Sequence, residues 1–528
     1  MIGKPEFILI CLVAVGLLAL AARRIRLPYP ILLTVGGLLL ALVPRVPPIH
    51  LDPQLVFDLF LPPLLYPAAV FTTWRDFRAN LRPILLMAIG LVLATMTATA
   101  YLCHWLAGLP LAAGFVFGAI ISPPDAVAAL SVTKNIRVPR KIVAILEGES
   151  LVNDATSFIS FRFAVAAVMT GHFSLAEAGT RFLFVATGGI CVGLAAGWLA
   201  TQVQGRLDDP PVQTMFSLLT PYIAYYAGER LHVSGILAVV IAGMVYGWYS
   251  PHILRGRMRL QAFPVWETVV FVLNGVLFML IGLQLPLVVR SLPASSMAQA
   301  GKLAALVLGA IVLVRFVWMF GSSHLPGLLS PAFRRRTPWQ HTGVIAWTGM
   351  RGADSLAGAL AIPFLLPNGQ PFPGRDLILL LTFCVIFGTL VIQGLSLAPL
   401  IRWLGVVDDK VSEKEERKAR LKANEAAMAR LEEMKSSSHI RPETVEHLQN
   451  EYADRIRQLQ SDSARDGKET RLFPEDFEEL AREALETERE TVLKLRNEEQ
   501  LDNQAFRRIQ RDIDLAEARL QSPGEKRV

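Results

Sequence analysis

Apolar runs long enough to form buried helices recur along most of the chain, separated by short polar stretches. A helix that crosses a bilayer needs about 20 mainly apolar residues. On that measure thirteen spans are predicted: residues 6–22, 28–44, 54–72, 83–106, 110–131, 140–169, 180–204, 212–229, 233–248, 265–289, 301–321, 340–366 and 376–404. After that the pattern changes, and nearly every stretch is Glu, Arg, Lys, Asp, Gln or Ala. Glu413–Lys435 sets opposite charges three or four residues apart, as on a solvated helix. Further helical stretches are predicted near Glu443–Gln460 and Pro474–Leu520. The expected fold is therefore an all-α membrane protein, with a transmembrane domain at 1–405 and a soluble, charged helical tail at 406–528.

Three spans carry polar groups that lipid would not tolerate. The sixth holds Glu147, Glu149, Asn153 and Asp154 within EGESLVNDAT, the fifth holds Ser122-Pro123-Pro124-Asp125, and the twelfth holds GMRGADS, Gly349 to Ser355. A charged side chain at the centre of a bilayer costs about 2.5–3.5 kcal/mol on insertion scales, so it faces a protein interior or a watery cavity and marks an ion or proton path. Proline removes backbone donors and obstructs helix continuation, and glycines flank the charges of the twelfth span. Both spans are expected to break at depth, where unwound backbone lines a cavity and offers carbonyls to a cation.

A helix advances about 100° per residue, so Glu147 and Asp154, seven apart, nearly eclipse, while Glu149 and Asn153 share another face. Asp154 is the leading carrier, with Asn153 orienting it and Asp125 facing it from the fifth span. A carboxylate serves both a proton and a hard alkali cation, and alternating exposure turns their competition into exchange. Oxygen ligands suit such an ion: the hydroxyls of Ser122, Thr156 and Ser157, the Pro124 carbonyl, and Na+ between Asp154 and Asp125. Two arginines at membrane depth, Arg315 and Arg351, need partners. One of them is expected to pair with Glu149.

Composition adds limits. The 528 residues are 52% hydrophobic and 18% charged, with a net charge of +7. Much of that excess lies in loop arginines, so nucleic-acid binding is not implied. Alternate loops hold seventeen Lys and Arg against seven on the other side. Positive charge marks the cytoplasmic side, which puts the N-terminus outside and the tail in the cytoplasm. Cys11, Cys103, Cys191 and Cys384 sit singly in apolar runs and read as small hydrophobes. The first apolar run lacks a small-residue cleavage site before Arg23 and reads as a retained span. With no nucleotide-binding glycine loop, metal motif or catalytic triad, neither an enzyme nor a cofactor is expected.

The motifs FLPPLLYPAA (Phe60–Ala69), SPPDAVAA (Ser122–Ala129), EGESLVNDAT (Glu147–Thr156), FVLNGVLFMLIGLQL (Phe271–Leu285), RFVW (Arg315–Trp318) and GMRGADSLAGALAIP (Gly349–Pro363), in this order, resemble the monovalent cation/proton antiporter-1 family. That family includes NhaP-type bacterial antiporters and eukaryotic sodium/proton exchangers. The resemblance implies a thirteen-helix fold of two inverted repeats, a dimerisation domain, and fifth and twelfth helices crossing at unwound centres. It implies a homodimer in the plasma membrane, a bacterial inner membrane given the short loops. The activity implied is electroneutral exchange of Na+, and in some members Li+ or K+, for H+ in pH and sodium homeostasis. It makes Asn153-Asp154 the hallmark pair, Asp125 the aspartate of the broken helix, Arg315 the partner of Glu149, and Arg351 the arginine of the crossing.

Three positions depart from the family pattern. Pro67 stands where members often have an acidic residue, Pro124 where threonine is common, and Asp354 where many are apolar. Asp354 is either a local partner of Arg351 or a replacement for the lost carboxylate. Two other readings remain open. A channel would need an open path lined by rings of charges or carbonyls, and a membrane-bound sensor would use the tail as its output.

Overall fold

The computed structural model describes residues 4–25, 27–43, 56–133, 138–172, 174–253, 256–290, 297–329, 338–406, 411–435 and 442–464, with isolated positions at 136 and between 485 and 516. The predicted stretch Pro474–Leu520 lies almost wholly outside them. Most of the described residues are helical, and among them there is a single isolated bridge between Leu365 and Pro371. The chain divides into two compact units, Met1–Asp409 and Lys410–Val528.

In the first unit the predicted stretches are occupied by helical segments, the fourth by three in succession (Leu81–Leu85, Leu86–Leu91 and Val92–Ala107). In chain order the main ones are α1 (Lys4–Ile25), α2 (Tyr29–Ala41), α3 (Leu61–Phe71), α4 (Val92–Ala107), α5 (Leu111–Ile121), α6 (Ala126–Thr133), α7 (Arg140–Thr170) and α8 (Leu175–Gln204). There follow α9 (Pro210–Arg230), α10 (Gly235–Ile253), α11 (Gly256–Arg290), α12 (Met297–Leu329), α13 (Trp339–Trp347), α14 (Ala353–Leu360), α15 (Arg375–Gly388) and α16 (Gly394–Trp403). Among the described residues seven helical stretches are long and apolar enough to cross a membrane, Arg140–Thr170 and Arg375–Trp403 among them. Tyr29–Ala41, Asp58–Phe71 and Gly235–Ser250 are apolar but shorter.

The breaks fall where the sequence puts them. α5 stops at Ile121, because Pro123 and Pro124 cannot donate the next helical hydrogen bonds, and α6 resumes at Ala126. The twelfth span stops at Trp347, is non-helical through Gly349–Gly352, and resumes as α14. By contrast α7 continues unbroken for 31 residues through all its polar positions and ends at Gly171, whose φ is +73°. A left-handed residue there suits glycine, which has no Cβ to clash.

Two large apolar cores hold these helices, and a third, small cluster gathers Phe60, Leu277 and Ala357. The larger joins α5, α12, α13, α14 and α15 through Phe117, Ile121, Ile311, Val344, Leu356 and Phe383. The smaller joins α3, α7, α9 and α10 around Tyr66, Phe158, Tyr225 and Tyr246. Close backbone approach sets some of the packing. A Cβ at Gly282 of α11 would overlap the Thr34 carbonyl of α2, the small-residue contact that lets apolar helices meet without a hydrophobic drive from water.

In the second unit α17 (Val411–Lys435) and α18 (Pro442–Ala464) pack on one another. The Arg417 guanidinium Nε donates to the Leu459 carbonyl at 3.0 Å, and charged pairs such as Arg455 with Glu451 cover the exposed faces.

Candidate functional site

The two breaks meet. The amide of Asp125 donates to the Met350 carbonyl at 2.7 Å, and a Cβ built on Gly352 would overlap the Asp125 carboxylate. One carboxylate oxygen of Asp125 accepts from the Val127 amide at 2.8 Å. Asp125 thus caps α6, where the positive end of a half-helix favours an anion. Its other oxygen lies against the backbone of the twelfth span.

Arg351 secures the crossing from the other side. Its Nε donates to the Ile121 carbonyl at 2.7 Å and an Nη to the Ser122 carbonyl at 3.3 Å. The second Nη donates to the Gly349 carbonyl, and its amide donates to Thr389 Oγ1 at 3.0 Å. Ile121 and Ser122 end α5, so their carbonyls have no helical partner and carry the negative end of the dipole. The expectation that a buried arginine must have a carboxylate is therefore met differently. Arg351 is 1% exposed, yet no carboxylate lies within ion-pair distance of it among the described residues, and Asp354 is not its partner.

The carboxylate partner belongs to Arg315. This guanidinium, 2% exposed, grips Glu149 through two parallel bonds of 2.6 and 2.8 Å. Two further bonds reach the Ile345 carbonyl at the end of α13. The bidentate geometry adds direction to charge, and it ties α7 to α12 and α13.

One turn along α7 from Glu149, Asn153 Nδ2 donates to the Pro124 carbonyl at 3.2 Å, while among the described residues its buried Oδ1 has no partner. Asp154 is 2% exposed. Its carboxylate makes no hydrogen bond or ion pair among the described residues, and its electrostatic neighbours are Asp354, Asp125 and Glu149. Ser122 and Ser157 both donate to the Ala119 carbonyl, at 3.0 and 2.6 Å, and Thr156 donates to Val152. Each keeps oxygen lone pairs free.

Glu147 does not join this group. It is half-buried two turns nearer the start of α7, and its charged neighbour is Asp76, itself bonded to Arg140. Arg162, two turns beyond Asp154, is paired with Glu229 at 2.9 Å. The residues missed from sequence are Thr389, Ser355 and the carbonyls of Ile121 and Met350. Thr389 had a signal, since it interrupts the apolar run of the thirteenth span. Carbonyls have none.

The residues drawn together are thus Ser122, Pro124, Asp125, Asn153, Asp154, Ser157, Arg351 and Asp354. Among the described residues no group of three or more His, Cys, Asp or Glu side chains is arranged to hold a resident metal ion. What the arrangement offers is carboxylate, hydroxyl and carbonyl oxygen at two helix breaks.

Comparison with known proteins agrees with this architecture. Residues 8–403 match the family model described as sodium/hydrogen exchanger, transmembrane. A Mycobacterium tuberculosis protein named as an uncharacterised Na+/H+ exchanger is 34% identical over 98% of this chain and 96% of its own. An Escherichia coli protein named in the same way is 33% identical over 97% and 98%. A Bacillus subtilis sodium, potassium, lithium and rubidium/H+ antiporter is 35% identical over 69% of this chain and 56% of its own. The structure of the sodium proton antiporter MjNhaP1 from Methanocaldococcus jannaschii superposes with a TM-score of 0.62 at 19% identity, covering 75% of this chain and 97% of that one, a likeness of fold. With its broken helices and nearly its whole length matched, the chain belongs to the sodium/hydrogen exchanger family, a family of multi-pass membrane proteins.

Proposed function

We propose that the chain is a secondary antiporter exchanging Na+, and to some extent Li+ or K+, for H+. The observation that carries this reading is Asp154: a carboxylate 2% exposed, without a hydrogen bond or ion pair among the described residues, whose electrostatic neighbours include Asp125 and Asp354 at the two helix breaks. A carboxylate so placed is costly unless a proton or cation shares it. Asp154 and Asp125 bind the ion, and Ser122, Ser157 and the Pro124 carbonyl supply further oxygen. Asn153 holds the break of α5 against α7, and its free Oδ1 adds a ligand. The Glu149–Arg315 pair is structural, and Arg351 neutralises the end of α5. Glu147 lies on the path by which ions reach Asp154.

In this reading all thirteen spans cross the plasma membrane as two inverted repeats. The N-terminus is outside, residues 1–405 form the exchanger and 406–528 a cytoplasmic tail. Lys and Arg crowd the loops assigned to the inside. The exposed apolar side chains of α8, Leu183, Phe184, Leu194 and Trp198, suit lipid or a second copy in a homodimer. No covalent chemistry is assigned. One carboxylate shared by one cation or one proton makes the exchange electroneutral.

The test uses everted vesicles with an acid interior and a pH-sensitive dye. Adding Na+, Li+ or K+ releases the gradient in the wild type and not in Asp154→Asn. An absence of response to every alkali cation would leave the sensor reading in its place. A cation current that persists without a proton gradient would support a channel.

A further inference from the structure

We propose that Asp354 is a third ion-binding carboxylate of this site and sets its affinity and selectivity among alkali cations. The proposal rests on the antiport reading above. It starts from where the charge of Arg351 goes. Three residues apart on one chain, Arg351 and Asp354 could have formed a local pair, in which case Asp354 would be inert. Instead the guanidinium is spent on the carbonyls of Ile121, Ser122 and Gly349, and its charged neighbours are Arg315 and Glu149. Arg315 is itself fully occupied by Glu149 and Ile345. Neither buried arginine is left for Asp354.

What Asp354 does have near it is more negative charge. It stands in the first turn of α14, two residues beyond Gly352, whose backbone presses on the Asp125 carboxylate. Asp125 and Asp154 are both its electrostatic neighbours, and Asp354 makes no hydrogen bond or ion pair among the described residues. The N-terminal dipole of α14 offsets only part of one charge. Three neighbouring carboxylates, two at helix breaks and Asp154 on the unbroken α7, cannot all stay ionised unless a cation or proton sits among them.

Two other observations point to a ligand rather than to a helix cap. Asn153 is wholly buried and anchored by its amide to Pro124, and among the described residues its Oδ1 has no partner. Ser355, 1% exposed and next in sequence to Asp354, also has an unpartnered Oγ. Buried oxygens are nearly always paired in folded proteins. The two unpaired ones, each next in sequence to a carboxylate of the set, add to the oxygen that a hard cation takes. A monovalent cation bound there displaces one proton from the carboxylates, and that proton leaves to the side from which the cation came.

Exchange is measured in proteoliposomes as a function of Na+, Li+ and K+ concentration for the wild type, Asp354→Asn, Asp354→Glu and, as a control at the exposed Asp376 in the first turn of α15, Asp376→Asn. Asp354→Asn is expected to raise the apparent KM for Na+ at least about tenfold, equivalent to ~1.4 kcal/mol. It also changes the order among the three ions, with maximal rate less affected, while Asp354→Glu restores most of the affinity and Asp376→Asn changes nothing. An unchanged KM and ion order in Asp354→Asn overturns the proposal. If that variant does not transport, stabilisation of the purified protein by Na+ decides. Wild-type stabilisation retained overturns the assignment, and its loss with an unchanged melting temperature in Na+-free buffer upholds it. A wild type that exchanges no alkali cation is a failure of the antiport reading itself, visible before any variant is compared.

Discussion

The amide of Asp125 donates to the carbonyl of Met350 at 2.7 Å, a backbone-to-backbone bond between the two helix breaks. The contact leaves no room for a side chain next to it, since a Cβ on Gly352 would overlap the Asp125 carboxylate. Gly352→Ala must therefore push the two breaks apart or turn Asp125 off its cap on Val127. Overpacking of this kind costs about 1–3 kcal/mol. The variant is expected to reach the membrane with a lowered melting temperature and to lose most cation-dependent release of a pH gradient. Wild-type exchange in Gly352→Ala would show that the crossing opens freely.

The Glu149–Arg315 pair predicts a different pattern. Removing either partner leaves an uncompensated charge in the interior, at a cost of about 3–5 kcal/mol, whereas replacing both with apolar residues of similar volume is far milder. Glu149→Leu and Arg315→Met should each lower the yield and melting temperature of the solubilised protein, and the double variant should recover much of both. Melting curves of the three variants check this. A double variant no better than the singles would mean that the Arg315 bonds to Ile345 matter more than the pair.

How much of this was legible in the chain follows from what each signal depends on. Helix breaks at Pro123-Pro124 and around Gly349 and Gly352 could be read locally, because proline and glycine act on their own backbone. The candidacy of Asp154 was legible too, since a carboxylate inside an apolar run is conspicuous wherever the helix packs. The division of labour between the arginines was not. Both are single charges in apolar spans, and only the fold shows that Arg315 meets Glu149 while Arg351 meets the carbonyls that end α5. Backbone acceptors have no letter in a sequence. For the same reason Asp354 read equally well as a partner of Arg351 until the guanidinium was seen to point elsewhere.

Competition at Asp154 fixes the sign of the pH dependence. The cation binds the deprotonated carboxylate and the proton occupies the same oxygens, so cation binding releases a proton and acid opposes it. The apparent KM for Na+ should fall as pH rises, by about tenfold per unit while the proton still competes, and then level off. Exchange assayed at several Na+ concentrations between about pH 6 and 9 measures this. A KM independent of pH throughout would separate the proton site from the cation site and remove Asp154 from one of them.

The last expectation concerns the second unit. Residues 4–406 contain both apolar cores, both breaks and every residue assigned to the ion site, and the compact unit that holds them closes at Asp409. The helix pair α17 and α18, with exposed charged pairs such as Arg457 with Asp454, carries none of the residues assigned to that site. A protein ending after Asp409 is therefore expected to insert and to exchange Na+ for H+ with the wild-type dependence on Asp154. Its KM should lie within about twofold of the full chain, less than ~0.5 kcal/mol on the scale where tenfold is 1.4. Vesicle assays of the two lengths at matched expression decide the matter. Complete loss of exchange in a truncated protein that still inserts and melts normally would make the tail part of the working mechanism and would favour the reading in which it is an output.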